Sequence, residues 1–180
     1  VSIENRHFKE KDAFECGLKE PDDVIIQLIQ AGDDANRSVG FSLSQPMDVK
    51  IYAIGEGHAK SREMFDFAWI INADTRERVW EMEATRTRHA GGAKKNRLFK
   101  DLISLPAGNF LVFYMSDDSH SFDYWNEFPP DDPRFWGITI YQTGSKSGQA
   151  VVQPYTDKSR GSNLPLVEMT RIRDDEFVHQ

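Results

Sequence analysis

Residues 116–126, with the sequence SDDSHSFDYWN, place several ligand-binding side chains directly after an apolar segment. Carboxylate oxygens are the ligands that calcium prefers, and an imidazole nitrogen suits zinc or iron. The candidate metal ligands are Asp117, Asp118, His120 and Asp123. Trp125 and Asn126 extend the candidate ligand-binding surface, because an aromatic ring and an amide can both contact a bound molecule. Calcium is therefore the candidate cofactor, and Asp131 or Asp132 would add oxygen ligands.

The spacing of these residues leaves two other interpretations open. It does not match the regular Asp-x-Asp-x-Asp-Gly calcium loop, and the sequence has no His-x-His or His-x-x-x-His pair. In a structural interpretation, Asp117 and Ser119 cap a turn through backbone hydrogen bonds while Trp125 and Trp136 pack in the core. In the third interpretation, the stretch binds a ligand without a metal.

A second candidate site is the basic segment 86–97, RTRHAGGAKKNR, which surrounds Gly91-Gly92. Backbone N–H groups near glycines can bind an anion, although the strand and helix that flank a phosphate-binding loop are not predicted here. The candidate ligand-binding residues are His89, Lys94 and Arg97. Because segments 86–100 and 117–132 carry opposite charge, one interpretation is that they contact each other, either within one module or between neighbouring copies. The alternative is that both are separate, solvated loops.

Composition excludes several classes of protein. The net charge of −7 and the pI near 5.2 argue against a general nucleic-acid binder, which needs a local excess of Lys and Arg. The apolar runs, such as residues 110–115, are far shorter than the ~20 residues of a transmembrane helix. The single cysteine, Cys16, excludes an internal disulfide. No Gly-x-Ser-x-Gly nucleophile motif occurs.

The elements that must position these segments are short strands. Residues 39–54 alternate apolar and polar side chains around Gln45-Pro46, and residues 67–71 and 78–82 flank a polar turn in the pattern of a β-hairpin. Residues 102–115 predict another strand, turn and strand, and a final strand is expected at 137–141. One helical turn is expected near residues 93–99. The fold class predicted is all-β: an antiparallel, jelly-roll-like β-sandwich with irregular N- and C-terminal extensions.

The domain organisation predicted from composition has four parts. Residues 1–19 form an N-terminal extension, 20–142 the sandwich module, 143–164 a linker, and 165–180 the first strand of a following repeat. The last prediction depends on a short similarity between residues 166–175 and 25–34, both partly apolar runs that end in Asp-Asp. The alternative is that any two strands that end in acidic turns look alike.

The segments VGFSLSQPMDVKIYAIGEG and LPAGNFLVFYMSDDSH resemble the bacterial pre-peptidase C-terminal-like and related jelly-roll modules of secreted and envelope proteins. Leu105, Ala107, Gly108 and Phe110 match the returning hairpin of that family, with Phe in place of Tyr. Most of residues 40–141 also looks like an uncharacterised bacterial module found in tandem arrays. The resemblance implies a jelly-roll fold and an extracytoplasmic, bacterial setting (periplasmic, cell-surface or secreted), and it carries over no catalytic residue.

The expected function is therefore a non-catalytic binding or assembly module of a larger protein, whose partner is another protein or a neighbouring copy. One alternative is a carbohydrate-binding module, which requires exposed, coplanar aromatic rings beside Asn or Asp. The other alternative is a metal-dependent hydrolase, which requires His89 and His120 to converge on a carboxylate in a cleft.

Overall fold

The computed structural model describes residues 24–143 and 152–157. Within these residues the chain forms eleven strands and two short 3-10 helices, Ala84–Arg86 and Pro133–Phe135. The strands are β1 (Val24–Ile29), β2 (Asn36–Leu43), β3 (Met47–His58), β4 (Glu63–Met64), β5 (Phe67–Asn72), β6 (Arg78–Glu81), β7 (Arg88–His89), β8 (Asn96–Leu105), β9 (Gly108–Met115), β10 (Gly137–Gln142) and β11 (Val152–Tyr155).

The strands form two antiparallel sheets. In the first sheet the order is β1-β10-β3-β8-β7, with the short β4 paired to β3, and in the second it is β11-β2-β9-β5-β6. The chain changes sheet between β1 and β2, β2 and β3, β4 and β5, β6 and β7, β8 and β9, β9 and β10, and β10 and β11. This order, β1-β10-β3-β8 facing β2-β9-β5-β6, is that of a jelly roll, and the all-β sandwich prediction is confirmed.

Alternation along the strands builds the core between the sheets. On β9, Phe110, Val112 and Tyr114 are buried, whereas Phe113 and Met115 on the other face are only half-buried. Phe110 stacks on Phe41 of β2, with ring centroids 5.4 Å apart. Because successive side chains of a strand point to opposite faces, a period of two in the sequence is sufficient to create this apolar layer.

The predicted hairpin at residues 67–82 is confirmed. β5 and β6 pair in antiparallel register, with Ile70 opposite the buried Trp80. Asn72 closes the turn, since its side-chain oxygen accepts hydrogen bonds from the backbone N–H groups of Asp74 and Thr75. An asparagine that bonds its own backbone in this way is a frequent turn former.

Two local predictions differ from the structure. β8 and β9 are consecutive strands, but they lie in different sheets, so residues 106–107 connect the two sheets and do not form the turn of a hairpin. The helical turn expected at residues 93–99 is replaced by a turn at 94–95 and the start of β8. Apolar alternation locates a strand, but the partner of that strand depends on the tertiary arrangement.

The second sheet includes part of the predicted linker. Residues Val152–Tyr155 form β11 and pair with β2 at the edge of the sheet. The few apolar residues of this strand are flanked by segments rich in Gly, Ser and Lys, which is why composition alone predicts a linker. The predicted extension at 1–19, the repeat strand at 165–180 and Cys16 lie outside the described residues.

No helix within residues 24–143 and 152–157 has the length and apolar character needed to span a membrane.

Candidate functional site

The acidic loop, residues 116–132, joins β9 to the 3-10 helix at Pro133–Phe135. It is anchored at its start by Ser116, whose hydroxyl donates to the Gly32 carbonyl at 2.6 Å and accepts from the Ala35 N–H at 2.9 Å. The Asp34 N–H also donates to the Asp117 carbonyl at 2.7 Å. The loop therefore begins in a fixed position against the β1–β2 connection.

His120 is the buried centre of the acidic loop. It is 0% exposed and adopts a positive φ of 57°, which only a few non-glycine residues do. Its Nε2 lies 2.6 Å from Asn96 Oδ1 and its Nδ1 lies 3.0 Å from Asn126 Oδ1. The Asn96 amide donates to the carbonyls of Gly91 and Phe128, which leaves its oxygen to accept from His120 Nε2.

Burial and the nearby Lys95 ammonium group lower the pKa of His120, with burial the larger cause. Both ring nitrogens face amide oxygens, so neither of them is available to a metal ion or a substrate. Trp125 and Trp136 pack edge-on against the imidazole, with ring centroids 5.0 and 5.5 Å from its centroid. The two tryptophan rings also pack edge-on against each other. His120 is therefore a structural residue that holds the loop against the core.

The glycine loop, residues 90–95, packs directly on the acidic loop. The Ala93 N–H donates to the Phe128 carbonyl, and the Asp131 N–H donates to the Ala90 carbonyl. Gly92 has φ +64°, and a Cβ placed on it would lie 1.9 Å from the Pro129 oxygen. The two loops thus contact each other within one module, and the chain itself occupies the space that the sequence suggested for an anion.

The three basic candidates of this segment have different roles. Arg97 is buried and donates from Nε and Nη2 to the side chain and the carbonyl of Thr87. Burial lowers the pKa of its guanidinium. His89 is exposed and its Nε2 lies 2.9 Å from the Ala93 carbonyl, while Lys94 is exposed in the glycine loop. These side chains do not form one binding site, because Arg97 is bonded to Thr87 and His89 to the Ala93 carbonyl, while Lys94 is exposed.

The predicted metal ligands are not brought together either. Among the described residues, the only group of three possible ligands whose ligand atoms lie within 4.8 Å of one another includes Asp117 but not Asp118, His120 or Asp123. Asp117 accepts from the Ser119 N–H at 3.0 Å, which is the turn cap of the structural interpretation. Asp118 is exposed, and Asp123 is exposed with its carboxylate against Gly32.

The structure instead places Asp117 beside two buried carboxylates that the sequence analysis missed. One ligand oxygen from each of Glu56, Asp66 and Asp117 lies within 4.8 Å of the others; we call this group the carboxylate cluster. Glu56 comes from β3 and Asp66 from the connection between β4 and β5. The Asp117 N–H donates to Asp66 Oδ1 at 2.9 Å, and Trp136 Nε1 donates to Asp66 Oδ2 at 3.2 Å.

Burial dominates the electrostatics of Asp66. The residue is 0% exposed, and loss of hydration raises its pKa from 3.8 to about 8. The hydrogen bond from the Asp117 backbone and that from Trp136 lower this pKa, whereas the charges of Asp117 and Glu56 raise it further. At neutral pH, Asp66 therefore holds a proton.

Only one of the two carboxylate oxygens of Glu56 has a partner. Its Oε1 lies 3.2 Å from the Lys95 ammonium group, which also donates to Asn126 Oδ1 at 2.9 Å. Its Oε2 is buried without a hydrogen-bond partner. Burial raises the pKa of Glu56, and Lys95 lowers it in part. The sequence contained a sign of both acids, since Glu56 continues the apolar strand YAIGEG and Asp66 stands between two phenylalanines.

Aromatic side chains at the surface fall into two groups. Tyr124 is 66% exposed and Phe128 is 79% exposed, and both project from the acidic loop. On the second sheet, Trp69 is half-buried and its ring stacks on Phe113, with an interplanar angle of 6°. The Arg78 guanidinium lies over the Trp69 ring at 5.8 Å, so this ring already has two partners within the protein.

Comparison of the chain with protein-family models, curated proteins and solved structures finds no match. The resemblance to pre-peptidase C-terminal-like modules therefore stays a prediction.

Proposed function

We propose that this protein is a non-catalytic assembly module in which neighbouring copies associate through the acidic loop and the glycine loop. The observation that carries the proposal is the exposure of Tyr124 and Phe128 on a loop that is itself fixed by buried hydrogen bonds. Large exposed aromatic side chains on a rigid support are typical of interaction hot spots, because little conformational entropy is lost on binding.

The charges beside these aromatic rings support a self-complementary surface. Asp118, Asp123 and Glu127 are exposed on the acidic loop. Arg88 and Lys94 are exposed on and beside the glycine loop, which contacts the acidic loop within the same chain. A two-fold axis at this end of the sandwich would place the basic residues of one copy on the acidic residues of the other.

The two alternative functions have weaker support. A hydrolase that uses His120 would need an available ring nitrogen, but both nitrogens already contact asparagine oxygens. A carbohydrate-binding face on Trp69 would need a ring face open to a sugar, and this ring already stacks on Phe113 and has the Arg78 guanidinium over it. The extracytoplasmic, bacterial setting is proposed from the sequence resemblance alone.

Sedimentation velocity of the purified chain tests the proposal, with protein from about 5 to about 500 µM. We expect self-association that is stronger at about 50 mM salt than at about 500 mM, because exposed charges are screened. The double variant Tyr124→Ser/Phe128→Ser should remain monomeric. The matched control is Leu102→Ser, which removes an apolar side chain that is 55% exposed on β8.

Two results would contradict the proposal. One is a wild-type chain that stays monomeric over the whole concentration range. The other is association that the double variant retains or that Leu102→Ser abolishes, since either result would place the interface elsewhere on the protein.

A further inference from the structure

We propose that the carboxylate cluster of Glu56, Asp66 and Asp117 binds a divalent cation through oxygen ligands, with calcium as the best candidate. The proposal does not depend on self-association, because the cluster does not include the exposed aromatic residues Tyr124 and Phe128 of the acidic loop.

The distances between the three oxygens suit coordination of one ion that they share. One oxygen from each residue lies within 4.8 Å of the other two. Calcium–oxygen distances are about 2.4 Å, so two ligands on opposite sides of one ion are about 4.8 Å apart. Asp117 is only half-buried, whereas Glu56 and Asp66 are buried, so the ion would enter from the side of the acidic loop.

A second observation points to a missing partner. Glu56 is 6% exposed, and its Oε2 is buried with no hydrogen-bond donor. Leaving a carboxylate oxygen buried and unpaired is costly, because the oxygen has lost its water without gaining a replacement. A cation shared with Asp66 and Asp117 would supply that replacement.

The local charge also matches a divalent ion. Once an incoming cation displaces the proton of Asp66, the three carboxylates and the Lys95 ammonium group sum to a formal charge of −3 + 1 = −2. Glu127, whose carboxylate lies 3.9 Å from Lys95, is exposed and therefore screened by solvent. One divalent ion would neutralise the buried part of this group.

The donor set selects the class of ion. All three side chains of the cluster offer oxygen, which favours calcium, magnesium or manganese over zinc. The imidazole of His120 does not join the set, because its two nitrogens contact Asn96 and Asn126. Calcium tolerates irregular arrangements of oxygen ligands, whereas magnesium requires stricter octahedral geometry, so three carboxylates from three separate chain segments favour calcium.

Terbium luminescence provides the test. Tb³⁺ occupies calcium sites, and an excited tryptophan a few ångströms away transfers energy to it. Trp136 Nε1 lies 3.2 Å from Asp66 Oδ2, so an ion in the cluster would be close to this ring. Tb³⁺ is added to chelator-treated protein under tryptophan excitation, and Ca²⁺ and Mg²⁺ are then added as competitors. Thermal unfolding with and without Ca²⁺ is measured in parallel.

Two sets of variants distinguish Tb³⁺ binding at the carboxylate cluster from binding at the exposed acids. We expect Glu56→Gln and Asp117→Asn to weaken Tb³⁺ binding by about tenfold or more, because each removes one charged ligand. Asp118→Asn and Asp123→Asn are the matched controls, and their affinities should stay within about twofold of wild type. Ca²⁺ should displace Tb³⁺ and raise the melting temperature of the wild type by mass action.

The proposal is overturned if the wild type shows no saturable, calcium-displaceable luminescence up to roughly millimolar Tb³⁺. It is also overturned if the control variants lose binding while the cluster variants keep it, because the ion would then lie on the exposed acids. Circular dichroism checks that each variant is folded. If both cluster variants fail to fold, the wild-type melt decides, and a melting temperature unchanged by saturating Ca²⁺ would refute the proposal.

Discussion

The buried carboxyl of Asp66 makes the stability of the metal-free protein depend on pH. Its pKa is raised from 3.8 to about 8 in the folded state, chiefly by burial. Between these values the folded chain holds a proton that the unfolded chain releases. The contribution of Asp66 to the free energy of unfolding is therefore greatest in acid and is lost as the pH rises toward 8.

The magnitude follows from one proton. A single proton changes the free energy of unfolding by about 1.4 kcal/mol per pH unit inside this window. From about pH 5 to about pH 7, Asp66 alone should therefore remove about 3 kcal/mol of stability. The pKa of Glu56 is also raised, so this residue acts in the same direction. The pKa of His120 is lowered, so it acts in the opposite direction in its own window.

Comparison with Asp66→Asn isolates the effect of Asp66, because contributions common to both proteins cancel. Urea unfolding is followed by tryptophan fluorescence at several pH values in the presence of a chelator. The amide loses the acceptor for Trp136 Nε1, so the absolute stability falls, and the slope against pH is the diagnostic quantity. We expect the difference between wild type and variant to shrink by about 1.4 kcal/mol per pH unit as the pH rises.

The matched control is Asp118→Asn, which alters an exposed carboxyl of the acidic loop and should leave the slope unchanged. The reasoning is refuted if the difference between wild type and Asp66→Asn does not vary between about pH 5 and about pH 7. Such a flat difference would show that Asp66 is already ionised in the folded protein over this range, because no proton would then be released on unfolding.

Two further predictions concern the contact between the loops, and both are measured by urea unfolding. His120→Ala should lower the free energy of unfolding by roughly 3 kcal/mol, because it leaves the buried Asn96 oxygen unpaired and opens space beside two tryptophans. The control His89→Ala removes an exposed side chain and should lower the free energy of unfolding by less than about 1 kcal/mol. Equal losses of stability in the two variants would contradict the structural role of His120. Gly92→Ala should lower the free energy of unfolding more than Gly108→Ala does. The Gly108 substitution strains the backbone by roughly 1–3 kcal/mol, but its new Cβ meets no heavy atom nearer than 3.8 Å. A smaller loss of stability for Gly92→Ala would show that the contact with Pro129 can relax.

The sandwich itself was predictable because it depends on local patterns. Alternation in residues 39–54 and 110–115 marks strands, and Asn72 marks the hairpin turn. These patterns arise from the geometry of a single strand or turn, so they can be seen without knowledge of the partner strands. For the same reason they could not show that β8 and β9 lie in different sheets or that residues 152–155 add a strand.

The candidate site was predictable only in part. The acidic loop and the basic segment do contact each other, as their opposite charge suggested, but most of the bonds are backbone hydrogen bonds and amide contacts. Lys95, and not Lys94, provides the charged contact with the loop residues Asn126 and Glu127. The direction of each side chain in a loop depends on the local backbone angles, and these cannot be read from residue types alone.

The sequence by itself determined the two-layer β architecture and the location of the polar loops, because side-chain alternation and turn residues act over a few positions. Only the tertiary structure decided that Glu56, Asp66 and Asp117, from β3, the β4–β5 connection and the acidic loop, meet at one end of the sandwich. Their approach depends on the order of strands in both sheets. Burial at that meeting point raises the pKa values of Glu56 and Asp66, and the close approach of the three carboxylates makes the cluster a candidate cation site.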